Sequence, residues 1–262
     1  MDTKSAKTTA VSPIDCSAAE WEARVELACA YRAVEALGWN KSIVYNHITL
    51  RVPGTHDHFL INPFGLRYDE VKASNLLKVD LEGNKVAPSD WPLLKQGFVV
   101  HSAVHAARPD VACVIHTHTP AGVAVACQAS GLLPLNTTSM LFTGRVGYHD
   151  IEGLTDNLDE RSRLAESLGD RDVMILRNHG LLACGSSVAA AFSNIVLLQN
   201  ACETQVMALS GGPAGLLFPP EDIARRTAQQ YDRNARSGGP EAGVLWAAVR
   251  RSVEQRDPGF AS

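Results

Sequence analysis

The run Val111-Ala112-Cys113-Val114-Ile115 constrains this chain more than any other feature. Five consecutive apolar residues, rich in β-branched side chains, read as a strand buried in the interior, here extended to Thr117. A second short buried strand is predicted over Val173 to Arg177, and another over Leu181 to Cys184. Helical segments stand on either side of them. From Ser17 to Leu37 apolar residues recur at helical spacing (Trp21, Val25, Ala28, Tyr31, Val34, Leu37), with Ser17 and Glu20 as a capping box and Gly38 as the stop. Ser187 to Leu209 reads as a long Ala-rich apolar helix ended by Gly211-Gly212. Strands interleaved with helices make this an α/β chain.

Between these anchors the pattern is less regular. Val44 to Val52 and His58 to Ile61 read as strands, closed by Pro53-Gly54 and by the turn Asn62-Pro63-Phe64-Gly65. Leu76 to Val79 and Lys85 to Val86 flank a hairpin-like turn. Gly97 to Ala106 fits strand or helix, and Pro120 to Ser130 reads as a small-residue helix. Three regions result: a mobile arm over 1–16, a main domain over 17–218, and a helical C-terminal appendage with a looser tail over 219–262.

Charge and cysteine usage exclude several functions. With 24 Lys+Arg against 28 Asp+Glu there is no basic excess for nucleic-acid binding. No run approaches a membrane span of about 18 apolar residues. Met1 to Cys16 lacks the apolar segment of a secretory signal, so the expected compartment is the cytoplasm. The six cysteines show no C-x-x-C spacing and read as buried free thiols.

The chemistry points to histidine. His116-Thr117-His118 ends the buried run, and residues i and i+2 of a strand share a face, so the two imidazoles emerge side by side. Arg177-Asn178-His179-Gly180 follows another short strand, and its glycine permits a sharp turn. Three neutral imidazoles with an open fourth position suit a catalytic metal. Three unrelated polar residues at strand ends would show the same spacing.

Taken in order, Arg108-Pro109-Asp110, His116-Thr117-His118 and Asn178-His179-Gly180 resemble the class II aldolase/adducin family. Asn46, Asn62-Pro63-Phe64-Gly65 and Gly147-Tyr148-His149-Asp150-Ile151-Glu152-Gly153 support the resemblance, which runs from about Trp21 to Leu209. It implies a three-layer αβα fold around a mostly antiparallel sheet. It implies one divalent metal ion per subunit on His116, His118 and His179, zinc first, with manganese or iron as other candidates. It also implies a homotetramer with sites near subunit interfaces.

Sugar-phosphate aldolases of that family carry an acid/base carboxylate nineteen positions before the first metal histidine. Here that position is Gly97, and no Asp or Glu lies between Trp91 and Arg108. Their phosphate-binding turns correspond to Tyr45-Asn46, Pro63-Phe64-Gly65 and Lys95-Gln96. Aromatic rings supply few of the donors that a phosphate needs. The expected substrate is therefore a small carboxylate without phosphate, aromatic or otherwise flat.

The candidate proton donors are His101, His47, Tyr148 and His149, and the candidate substrate contacts are Asn46, Phe64, Gly65 and Arg177. The leading expectation is a metal-dependent carbon–carbon lyase in which a Lewis acid stabilises the enolate left by bond cleavage. Decarboxylation is preferred to retro-aldol cleavage because it needs no base to start. Two other classes fit: a mononuclear iron oxygenase acting on an aromatic 2-oxo acid, and an adducin-like binding protein. Adducin-type proteins usually lack the metal histidines, whereas all three are present here.

Overall fold

The computed structural model describes residues 14–154, 157–235 and 240–262. The predicted N-terminal arm therefore lies, over 1–13, outside the described residues. Helix α1 (Ala18–Ala36) begins where expected, with the Ser17 hydroxyl accepting the Glu20 N–H at 3.1 Å. The reciprocal half of the capping box is not made. Glu20 instead turns inward to Arg24 at 2.9 Å and Lys78 at 2.8 Å, because a buried carboxylate requires cationic partners. Gly38 closes the helix with φ +70°.

Seven strands follow in one sheet: β1 (His47–Arg51), β2 (Phe59–Ile61), β3 (Leu77–Val79), β4 (Cys113–Thr117), β5 (Val146–His149), β6 (Val173–Leu176) and β7 (Gly180–Gly185). Their spatial order is β3-β2-β1-β4-β7-β6-β5. Every pairing is antiparallel except that of β5 with β6. The helices are α2 (Lys95–Ala107), α3 (Pro120–Ala126), α4 (Thr137–Met140), α5 (Glu160–Leu168), α6 (Val188–Leu209), α7 (Glu221–Ala235) and α8 (Pro240–Arg256).

Strand periodicity divides the core in two. On one face Ile48, Leu50, Cys113, Ile115, Leu181 and Ala183 pack with Leu27 and Tyr31 of α1, Val125 of α3, and Phe192 and Ile195 of α6. On the other, Val114, Met174, Leu176, Leu182 and Cys184 lie under Val99, Val100, Ala103 and Val104 of α2 and under Leu164 and Leu168 of α5. Helices on both faces of a mostly antiparallel sheet give the expected three-layer αβα arrangement. The segment 219–262 packs more closely than an appendage: Trp246, Val253 and Phe260 belong to the first core cluster.

Several boundaries differ from the sequence reading. The ambiguous stretch from Gly97 is the helix α2. The predicted strand from Val44 starts only at His47, because Ile43 takes φ +63° in a turn. Strand β5 and helix α5 carry too few apolar residues to announce themselves. The one is four residues long at a sheet edge, and the other buries only Glu160, Leu164 and Leu168. Cys29, Cys113, Cys184 and Cys202 are buried free thiols as expected, but Cys127 is exposed. None of the described helices is long and apolar enough to cross a membrane.

Candidate metal centre

His116 sits near the end of β4, opposite Leu182 of β7 on one side and His47 of β1 on the other. His118 lies just past the end of the same strand. The turn between β6 and β7 delivers His179. Asn178 occupies the left-handed region there (φ +57°), which its short polar side chain tolerates better than most. Its N–H bonds to the Ala126 carbonyl at 3.1 Å, and the His179 N–H bonds to Leu176 at 3.1 Å.

Gly180 acts through space rather than through backbone freedom. A Cβ there would lie 2.5 Å from the Thr117 carbonyl oxygen and 3.0 Å from His118 Cδ2. The missing side chain lets the His179 turn close against β4.

The donor atoms of His116, His118 and His179 all lie within 4.8 Å of one another. His116 Nδ1 faces the Leu181 carbonyl at 2.9 Å and so carries the hydrogen, leaving Nε2 bare. That Nε2 is 3.3 Å from His179 Nε2. Two nitrogens bound to one tetrahedral zinc at about 2.05 Å would stand roughly 3.3 Å apart. His118 Nε2 is buried without a hydrogen-bond partner among the described residues. Burial lowers all three pKa values, that of His118 to about 4 and that of His116 well below the usual range. At neutral pH the cluster offers uncharged imidazoles, the form that ligates a cation.

The surrounding groups position this cluster. Asn46 is fully buried; its Oδ1 accepts the His118 N–H at 3.1 Å while its Nδ2 donates to Asn40 at 2.9 Å. Ser42 Oγ is 3.4 Å from His118 Nδ1. Asn46, expected at the substrate, holds the backbone of His118. Tyr45 is exposed, with its ring 6.0 Å from that of Phe64. Gly65, beside it, takes φ +99° in an open turn.

His47 and His101 stand beside the three clustered histidines. His101 lies edge-on to His47 at 6.2 Å and to His116 at 6.4 Å between ring centroids. Its Nδ1 meets Thr49 Oγ1 at 2.8 Å, and the same hydroxyl meets His105 Nε2 at 2.8 Å. Thr49 was not singled out in the sequence; its period-2 placement after His47 is the only local signal.

The other expected site residues make further contacts, and two of them, His149 and Arg177, line a small cavity together with His179. Successive residues of β5 point to opposite faces, so Tyr148 and His149 do not share a site. The Tyr148 hydroxyl accepts the Leu132 N–H at 3.1 Å, and the Arg177 guanidinium stacks 4.3 Å over its ring. Arg177 also donates to the Gln128 carbonyl at 2.7 Å. His149 is enclosed between Ser167 at 3.0 Å and Glu160 at 3.2 Å.

The sequence model of the Class II Aldolase and Adducin N-terminal domain matches residues 25–206. The chain belongs to the class II aldolase/adducin family. A Pseudomonas aeruginosa protein, itself only provisionally assigned as an aldolase class 2 protein, is 46% identical over 245 residues, covering 93% of each chain. The crystal structure of an aldolase II superfamily protein from Pseudomonas syringae superposes with TM-score 0.88 at 45% identity, covering 96% of this chain and 98% of the other. Alpha-adducin of Rattus norvegicus is 43% identical over 225 residues; these are 84% of this chain but only 29% of that adducin.

Proposed function

We propose that this family member is a metal-dependent carbon–carbon lyase acting on a small carboxylate without a phosphate group, with decarboxylation as the favoured reaction. The observation that carries the reading is the 3.3 Å approach of His116 Nε2 and His179 Nε2 beside the buried, unpartnered Nε2 of His118. A bound divalent ion, zinc first and manganese or iron next, supplies Lewis-acid charge for the electrons left on carbon when the bond breaks. His116, His118 and His179 hold it, and Asn46, Ser42 and the Leu181 carbonyl hold them. The Tyr45–Phe64 pair flanks the loop that carries Asn46 and suits a flat, apolar substrate group. The neighbouring His47 and His101 are uncharged imidazoles, and position 97 offers no carboxylate base; decarboxylation is favoured because carbon dioxide leaves without a base and a proton relayed from water returns to carbon. Tyr148, His149 and Arg177 brace the turn that carries His179, the Arg177 N–H donating to the His149 carbonyl at 2.8 Å. The proposed assembly is a cytoplasmic homotetramer with one ion per subunit.

Elemental analysis of the purified protein beside His179→Ala tests the centre. About one zinc, manganese or iron per chain, lost in the variant, supports it. Zinc or manganese directs the work to carbon dioxide release and retro-aldol screens, and iron to oxygen uptake. The identity to alpha-adducin favours a second reading, a binding protein. Absence of metal even after reconstitution would move the assignment there.

A further inference from the structure

The metal centre leaves the placement of His47 unexplained. A Cβ at Gly97 would lie 2.1 Å from His47 Cδ2, 2.3 Å from Nε2 and 2.6 Å from Cγ. No residue but glycine coexists with that ring. Yet Gly97 lies in the first turn of α2, and glycine in a helix is less favourable than alanine by about 1 kcal/mol. The helix therefore gives way to the imidazole.

The imidazole is also held in one orientation. His47 Nδ1 is 3.1 Å from Asn62 Oδ1, an acceptor, so Nδ1 carries the hydrogen and Nε2 is bare. Asn62 is fixed in turn, its N–H donating to the Tyr31 hydroxyl at 3.1 Å; that hydroxyl also accepts the Ile48 N–H at 2.9 Å. His47 Nε2 is buried and has no hydrogen-bond partner among the described residues. A buried polar atom left unpaired is costly to stability. His47 is the direct cross-strand neighbour of His116, so both side chains leave the same face of the sheet.

A glycine in a helix and an unpaired nitrogen meet at one imidazole beside the three ligands. We propose that His47 is the proton-transfer residue of the centre, standing in the space that a side chain at position 97 would fill, with His101 as a positioning residue behind it. The inference rests on the lyase reading and deepens it. In decarboxylation the bond to the carboxylate carbon breaks and carbon dioxide departs. The electron pair left on the remaining carbon takes a proton that His47 Nε2 relays from water, and the hydroxide so formed takes up the carbon dioxide, so that carboxylate and water become the protonated product and hydrogencarbonate. His101, tied through Thr49 to His105 and edge-on to both His47 and His116, keeps the donor ring upright.

The test exchanges the two positions. Unfolding midpoints are measured for wild type, Gly97→Ala, His47→Ala and the double alanine variant. Gly97→Ala is expected to destabilise wild type and to be neutral or stabilising once His47 is alanine. An equal cost in both backgrounds overturns the spatial claim.

Proton transfer is read as deuterium uptake from heavy water into the methyl group of pyruvate, followed by proton NMR on zinc-loaded protein. His47→Ala is expected to keep its zinc and lose about 100-fold in exchange rate. His47→Ala/Gly97→Glu, with a carboxylate reaching into the vacated space, regains part of it, and so does added imidazole. His47→Ala that exchanges like wild type overturns the proposal. So does a slow variant that neither imidazole nor Gly97→Glu restores. Failure of zinc-loaded wild type itself overturns the lyase reading, and the role of His47 with it; this is told apart because wild type rather than the variant is silent.

Discussion

Replacing Gly180 by alanine isolates how closely the centre is built. The added Cβ would lie 2.5 Å from the Thr117 carbonyl oxygen, whereas ordinary contact begins at 3.4 Å. The obstacle is backbone on a strand paired along its length with β7, so it cannot swing aside. Relief requires the His179 turn to retreat by about 0.9 Å. Metal sites tolerate ligand displacements of only about 0.2 Å, and the His116–His179 nitrogen spacing is already that of a tetrahedral ion. His179 should then bind weakly or not at all, raising the zinc dissociation constant about 100-fold, or about 2.7 kcal/mol. The fold, by contrast, should lose only about 1–3 kcal/mol, as overpacked sites do. Competition with a chromophoric chelator measures the first quantity and urea unfolding the second. Gly211→Ala, where a Cβ meets nothing within 4 Å, is the control and should change neither. If Gly180→Ala binds zinc within about threefold of wild type, the turn does not need that close approach and the reasoning is refuted.

Three further outcomes are expected. Asn178→Val should destabilise the protein by about 1–2 kcal/mol in thermal unfolding, because a β-branched residue resists φ +57°, while Asn178→Gly should not. Trp246→Ala should cost about 3–5 kcal/mol if the C-terminal helices share the main core; a change near zero would show them to be loosely attached. Burial holds the pKa of His47 at about 4 and that of His105 at about 3, below the value near 6.5 in an unfolded chain. The unfolded state then binds more protons as pH falls below about 6.5, so stability is present above that value and lost on acidification towards the folded-state values. Between pH 7 and about pH 5 each of these two imidazoles should cost the metal-free protein about 2 kcal/mol, beside the losses from His101, His116, His118 and His179, so urea titrations should show His105→Gln reducing the total loss by about 2 kcal/mol.

Much of the centre was legible because its signals are local. The i, i+2 spacing of His116 and His118 at the end of an apolar run puts both rings on one side whatever surrounds them. Asn178 and Gly180 mark the turn that carries His179. The glycine there suggests a freedom to bend, but in the structure it permits a close approach of the turn to β4. Arg177, one residue from that turn, looked equally available, but its guanidinium is committed to the Tyr148 ring and the Gln128 carbonyl. The surroundings of His149 were not legible either, since Glu160 and Ser167, which enclose it, come from a helix that the sequence did not reveal.

The sequence by itself determined the α/β class and the interior strands, since each follows from periodicity and steric preference within a few residues, and it put three histidines at strand ends that the family resemblance marks as candidate ligands. It also showed that position 97 carries no carboxylate. Only the tertiary structure decided what takes that space. β1 pairs with β4, which lies far along the chain, and α2 folds over both, so that His47 meets Gly97 and His116 at once. Contacts between segments so distant arise from strand register and helix packing, and no short-range pattern encodes them.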